Sequence, residues 1–309
     1  MLILDQRVSF IETLLTILIV FLFITLTNVS LVFGIFLLPF VVLYLLKLKH
    51  KSNYHFWLIF FSFMIPALLF LEPSILLWFV ILYILTAVIH SSIVKGYTQE
   101  LTLFYVTFTI ALGTLLGLNI LQAFGFIQPL SETYFAFRNW YVDQIETFGS
   151  IPFGGIDIEV FKTALDQFYI NLPGYITVLS FFIALYTVLM LRITLNKEQM
   201  KPWPRAAFSD WQFPRITLYI FFIVFVISFF TTGEGTFQSL ISNALLVSEW
   251  AVFIHGLAFS YFFFLEKKMN KVLAVILLIP LFFLRPLTLL IGLLEMMFRL
   301  RMLLIMKRK

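Results

Sequence analysis

Apolar runs of about 17 to 25 residues recur from one end of this chain to the other, each long enough to cross roughly 30 Å of hydrocarbon as a helix. Lipid offers no partner to an open backbone N–H or C=O, so only helices and closed barrels can span it. The two-residue alternation of barrel strands is not seen in these runs. The chain is therefore expected to be all-α, a polytopic transmembrane helix bundle. Composition agrees: 61% of the 309 residues are hydrophobic, 12% are charged and the mean hydropathy is +1.02, more apolar material than one soluble core can bury.

About eight spans are expected, at 9–27, 29–46, 54–71, 74–94, 101–123, 173–194, 214–231 and 241–265. The first run follows "MLILDQRV" without a small-residue cleavage site, which predicts a retained helix and not a signal peptide. Cations alternate between linkers: Lys47, Lys49 and Lys51, then Lys95, then Arg192, Lys197, Lys201, Arg205 and Arg215, then Lys267, Lys268 and Lys271. The intervening linkers carry Glu72, Glu234 or a mostly acidic segment. By the positive-inside rule the N-terminus and the linker at 266–271 are cytoplasmic, and the chain sits in the cell (plasma) membrane as a multi-pass protein. The net charge of +5 reads as topology and not as nucleic-acid binding.

The last apolar stretch, from 272 to about 298, starts at Lys271 and ends in "RLRMLLIMKRK", so both flanks want the cytoplasm. Arg285 and Pro286 stand side by side in its middle. A charge at bilayer depth costs roughly 2.5–3.5 kcal/mol, and proline removes a hydrogen bond that lipid cannot replace. The stretch is expected to be a re-entrant hairpin or strongly broken helix turning near Arg285–Pro286; the alternative is one kinked ninth span.

The whole chain, 1–309, reads as a single integral membrane domain with two distinct segments. At 124–172 lies an extracytoplasmic insertion of two short amphipathic helices, "SETYFAFRNWYVDQIETFG" with a cap at Ser131 and "DIEVFKTALDQFY" with a cap at Asp157, around the turn "SIPFGG". Their aromatic residues, Trp140 among them, form an interfacial belt or cover the mouth of the bundle, in which case Trp140 contacts ligand. At 195–213 lies a cytoplasmic loop where basic residues alternate with Trp203, Trp211 and prolines, suited to headgroups or to a protein partner.

Cys is absent, which excludes disulfides, thiolate nucleophiles and Cys-ligated metals. His50, His55, His90 and His255 show no metal-binding spacing, and no hydrolase elbow, Walker loop or dinucleotide fingerprint occurs. No enzyme, metal or cofactor is expected. Ionisable groups within spans are the stronger lead, because they face the interior and mark a site or a pair. Glu249 lies about 25 Å from the cytoplasmic end of its span and Arg285 about 21 Å along the last segment, a similar depth, so the two are expected to pair. Such a pair is either structural or ligand-contacting. His255, followed by Gly256, is expected in the interior where helices approach closely, as a packing residue or a proton carrier. Glu12, Trp78, Asn119 and Gln122 are weaker candidates that snorkel, anchor or bridge helices. The forty Phe carry no site information, since lipid accepts any large apolar side chain.

"PRAAFSDWQFP", "FIHGLAFSYFFFLEKK" and "GLLEMMFRLR" together resemble the YybS-like family of bacterial membrane proteins. The resemblance falls on Phe208, Trp211, Pro214, Gly256, Gly292, Glu295, Phe298 and Arg301. It implies a distant similarity to the substrate-binding membrane subunits of energy-coupling-factor transporters, which bind a small solute from outside and dock to a shared ATPase module. This chain departs from them in having more spans than six and no small-x-x-x-small pattern in "FIETLLTILIVFLFITL". The stretch from Gly292 to Arg301 is also read as a helix cap and interface anchor.

The expected function is binding, or helping transport, a small solute at Glu249, His255 and Arg285 beneath the aromatic helices, with the lipid bilayer as surrounding partner. The alternative is a non-transporting scaffold or regulator that binds a protein partner or anionic lipid through the cytoplasmic loop and basic C-terminus.

Overall fold

A computed structural model of the chain describes residues 9–70, 73–148, 158–197, 207–231 and 235–306. All regular elements among them are helical. In chain order they are α1 (Phe10–Val29), α2 (Leu31–Lys51), α3 (Asn53–Phe70), α4 (Pro73–Val94), α5 (Gln99–Ala123), α6 (Leu130–Phe148), α7 (Ile158–Ile170) and α8 (Leu172–Lys197). A single 3-10 turn, Phe208–Asp210, precedes α9 (Ile216–Phe230), α10 (Thr236–Glu266), α11 (Lys271–Phe283), α12 (Arg285–Phe298) and α13 (Leu300–Met306).

A helix occupies each of the eight stretches expected to span. Among the described residues six of them, α1, α2, α4, α5, α8 and α10, are long and apolar enough to cross a membrane, or seven spans if α11 and α12 count as one broken span. The other two are short: α3 has 18 residues and α9 has 15, about 27 and 22 Å of helix against roughly 30 Å of hydrocarbon. The two amphipathic helices of the insertion are present as α6 and α7. Ser131 lies inside the first turn of α6 and does not cap it, because that helix already starts at Leu130. Glu72, the turn at 150–155, Asp157, Lys201, Trp203, Arg205 and Glu234 lie outside the described residues.

The chain divides into two compact units, Met1–Tyr141 with Leu179–Pro204, and Val142–Val178 with Arg205–Lys309. In the first, α1 and α2 form a hairpin that turns at Ser30, whose hydroxyl accepts the Val32 N–H at 3.3 Å and caps α2. The hairpin brings the start of α1 beside the end of α2, where Lys51 donates to the Glu12 carboxylate. Its core is aliphatic along α2 and α4, with Leu45, Leu46, Leu85 and Ile89 fully buried, and aromatic where Phe60 stacks on Phe79 at 5.5 Å. Phe21, Phe33 and Phe36 point outward, as lipid-facing residues must.

The second unit is organised around α10. At one end its Asn243 accepts the Gly174 N–H (2.5 Å) and donates to the Ile170 carbonyl (2.8 Å), joining the α7–α8 break to α10. Further along, α10 packs against α12 in parallel: Glu249 meets Arg285, and Gly256 meets Gly292. The buried residues of α12, Thr288, Gly292, Glu295 and Met296, form one face toward α10. A Cβ on Gly256 would lie 2.1 Å from the Thr288 carbonyl oxygen, and one on Gly292 would lie 2.3 Å from that of Val252. Two backbones touch here, and only glycine permits it.

Between them the chain reverses. Helices α11 and α12 are bent by 108° at Leu284, where the sequence placed the turn. Pro286 sits in the first turn of α12, where its missing N–H would have had no partner anyway. The break orphans the last carbonyls of α11, and the Thr288 hydroxyl donates to that of Leu281 at 2.6 Å. Because α12 runs parallel to α10, α13 returns to the end of the unit that α11 left.

Alanine at Gly256 or Gly292 should force the two helices apart and lower stability by about 1–3 kcal/mol. Gly235, which has no atom within 4 Å of a built Cβ, should accept serine, another good residue for the N-cap position it holds on α10, with little change. Thermal unfolding in detergent of the three variants checks this; equal midpoints would disprove the contact.

Candidate functional site

Two polar clusters lie along the α10–α12 seam, and they differ in burial. In the first, Arg285 Nη2 donates to Glu249 Oε2 at 2.9 Å, and its guanidinium carbon lies 5.0 Å from the centre of the Trp250 ring. The expected pair is therefore formed. Its side chains remain 37% and 31% exposed, so the pair sits on a flank of the unit. A carboxylate and an indole face offset the desolvation of a guanidinium that begins a helix at the break.

The second cluster is buried. His255 is 2% exposed, Glu295 6% and Arg301 4%. The Phe213 N–H donates to His255 Nδ1 at 3.2 Å, which fixes that nitrogen as the acceptor. His255 is thus the neutral Nε2–H tautomer, and it donates to Glu295 Oε2. The other carboxylate oxygen, Oε1, lies 3.4 Å from Arg301 Nε, and Arg301 Nη1 donates to the Ser209 carbonyl at 2.8 Å. The rings of Phe259 and Phe262 approach the guanidinium to 5.9 and 5.6 Å. Burial pulls the Arg301 pKa below its ordinary value while the carboxylates of Glu295 and Asp210 oppose that, and the group stays charged because arginine starts so high.

This cluster forms one wall of a cavity of about 760 Å³. The remaining walls come from the segment 209–215, from Phe262 at the end of α10, and from Arg299, Met302 and Ile305 around α13. Arg299 takes the left-handed conformation (φ 49°) at the end of α12, which turns the chain sharply so that Arg301 points back inside.

The sequence placed Glu249, His255 and Arg285 at one site, and the structure separates them. His255 follows Glu249 by six residues, which on a helix is about 9 Å along the axis and about 120° around it, so the two cannot share a face. His255 faces Glu295 instead, and neither Glu249 nor Arg285 lines the cavity. Trp140 belongs to the first unit, is 57% exposed, and does not line it either. The stretch from Gly292 to Arg301, read as a helix cap and interface anchor, does end a helix, with Arg299 as its C-cap, but Glu295 and Arg301 within it are buried partners. Glu12 does not merely snorkel but pairs with Lys51, and the Asn119 amide donates within its own helix to the Leu115 carbonyl. The signal for the second cluster was in the sequence: an acid and an arginine closely following Gly292, and a histidine beside Gly256, at the two positions where backbones meet.

Glu295→Gln leaves Arg301 buried without its counter-charge and should cost about 3–5 kcal/mol, with part recovered in the double Glu295→Gln, Arg301→Gln. For the exposed pair, Glu249→Gln and Arg285→Gln should couple by only about 0.5–1.5 kcal/mol. Double-mutant cycles of unfolding in detergent measure both, and a larger coupling in the Glu249–Arg285 cycle would reverse the ranking.

No curated protein and no solved structure matches the chain. A family model, described as that of a predicted membrane protein (DUF2232), matches residues 14–297 and so takes in the whole α10–α12 seam; the chain belongs to this family of membrane proteins.

Proposed function

We propose that this protein binds, or helps transport, a small solute, and that the solute sits in the cavity between the 209–215 segment, α10, α12 and α13. The observation that carries the reading is a cavity of about 760 Å³ walled by a buried His–Glu–Arg cluster. Ligand sites are concave, with a few fixed polar groups, and ionisable residues buried in a membrane protein mark such sites. The resemblance of the sequence to YybS-like proteins adds to it, as Phe208, Trp211, Gly256, Gly292, Glu295 and Arg301, the residues that carry it, lie around this cavity and its seam. With cation-rich linkers inside, the cavity opens to the cytoplasm of the cell, and α11–α12 is a re-entrant hairpin entering from that face.

The reading is not enzymatic. Both ring nitrogens of His255 are engaged, by Phe213 and by Glu295, so neither is available as a general base. The sequence has no nucleotide-binding motif, and energy for transport comes from a partner or a gradient.

Native mass spectrometry of protein gently extracted from its own membrane tests this. A retained small molecule that is lost in Met302→Trp, which adds bulk at the cavity wall while keeping every charged group of the cluster, is the expected result. A retained protein with no small molecule would instead select the scaffold reading.

A further inference from the structure

The chemistry of the cavity narrows what it can hold. Three arginines line it, Arg215, Arg299 and Arg301, against two carboxylates, Asp210 and Glu295. His255 adds no charge, because its Nδ1 accepts a backbone N–H. The balance is cationic, and Glu295 is already engaged on both oxygens by His255 and Arg301. A cationic ligand would find only Asp210 available, and the Ser209 hydroxyl donates to it at 3.1 Å.

Arg301 points more directly to the missing partner. The residue is 4% exposed, yet among the described residues its Nη2 and Nε make no hydrogen bond. Glu295 offsets the charge at 3.4 Å without supplying the geometry. A buried donor left open in this way costs roughly 1–3 kcal/mol, and an acceptor with several oxygens on a fork-shaped guanidinium removes that cost. Arg299, at the left-handed turn that ends α12, and Arg215 add two further guanidinium groups to the lining.

We propose that the cavity binds a phosphate-bearing anion, with Arg301 as the inner anchor and Arg215 and Arg299 at the mouth. The inference rests on the cavity being the binding site proposed above. A soluble phosphate monoester and the headgroup of an anionic phospholipid present the same chemistry to these residues, and the two sources are separated by experiment.

The protein is reconstituted in phosphatidylcholine nanodiscs and titrated calorimetrically with inorganic phosphate and glycerol phosphate. A parallel sample in mixed phosphatidylcholine and phosphatidylglycerol is examined by native mass spectrometry for the lipid retained. The variants are Arg215→Gln and Arg299→Gly, both at exposed positions. Arg299→Gly relaxes the backbone, so it should keep or raise the unfolding midpoint while weakening binding by roughly tenfold, the scale of one lost charge-assisted contact. Binding of either soluble probe, weakened in both variants, supports the proposal with a solute as source. Selective retention of phosphatidylglycerol, lost in both variants, supports it with lipid as source. Binding unchanged by either variant overturns it. If no phosphate species binds while Met302→Trp still displaces a neutral or cationic solute, the anion is wrong and the binding site stands. If no phosphate species binds and no solute is retained, both fail.

Discussion

The second unit depends on one contact, the meeting of two backbones at Gly256 and Gly292. In lipid, helices gain nothing from hiding apolar surface from one another, so close packing and polar contacts must hold them. Two glycines let α10 and α12 approach until backbone atoms touch. The polar pairs along the seam are placed by that approach: Glu249 reaches Arg285 toward one end, and His255 reaches Glu295 toward the other. The parallel register in turn requires the chain to reverse between the helices, which it does at Leu284 with Pro286 just beyond.

Two arginines near this seam show two solutions to the cost of a guanidinium in an apolar setting. Arg285 stays on a flank, partly exposed, with a carboxylate and an indole face for company. Arg301 is buried outright and relies on Glu295, the Ser209 carbonyl and two phenylalanine faces. Only the second leaves donors open and a cavity beside them. Burial with incomplete satisfaction is costly, which is why the inner arginine and not the more conspicuous Arg285 marks the candidate site.

The same segment shows how a loop becomes part of a site. Phe208 packs edge-on against Trp211 at 5.3 Å, and the backbone on either side turns inward, the Ser209 carbonyl to Arg301 and the Phe213 N–H to His255. The aromatic residues hold a short irregular stretch in place, and its main chain does the recognition. Irregular backbone is tolerated near a membrane only where protein or a wet cavity satisfies it, and here the side chains of His255 and Arg301 do so.

Much of this was legible in the sequence. Runs of apolar residues dictate helices, since backbone polarity admits nothing else in lipid, and a proline beside an arginine dictates a break. Depth arithmetic along two apolar segments was enough to pair Glu249 with Arg285, because position along a helix is linear in residue number. The sequence could not say which helices run side by side, so Glu295 and Arg301 looked like the end of a helix and His255 was assigned to the wrong neighbours. Angular position on a helix gains meaning only when the facing helix is known. That facing is decided by tertiary packing, at two glycines far apart in the chain, and the cavity and its buried arginine exist only once it has formed.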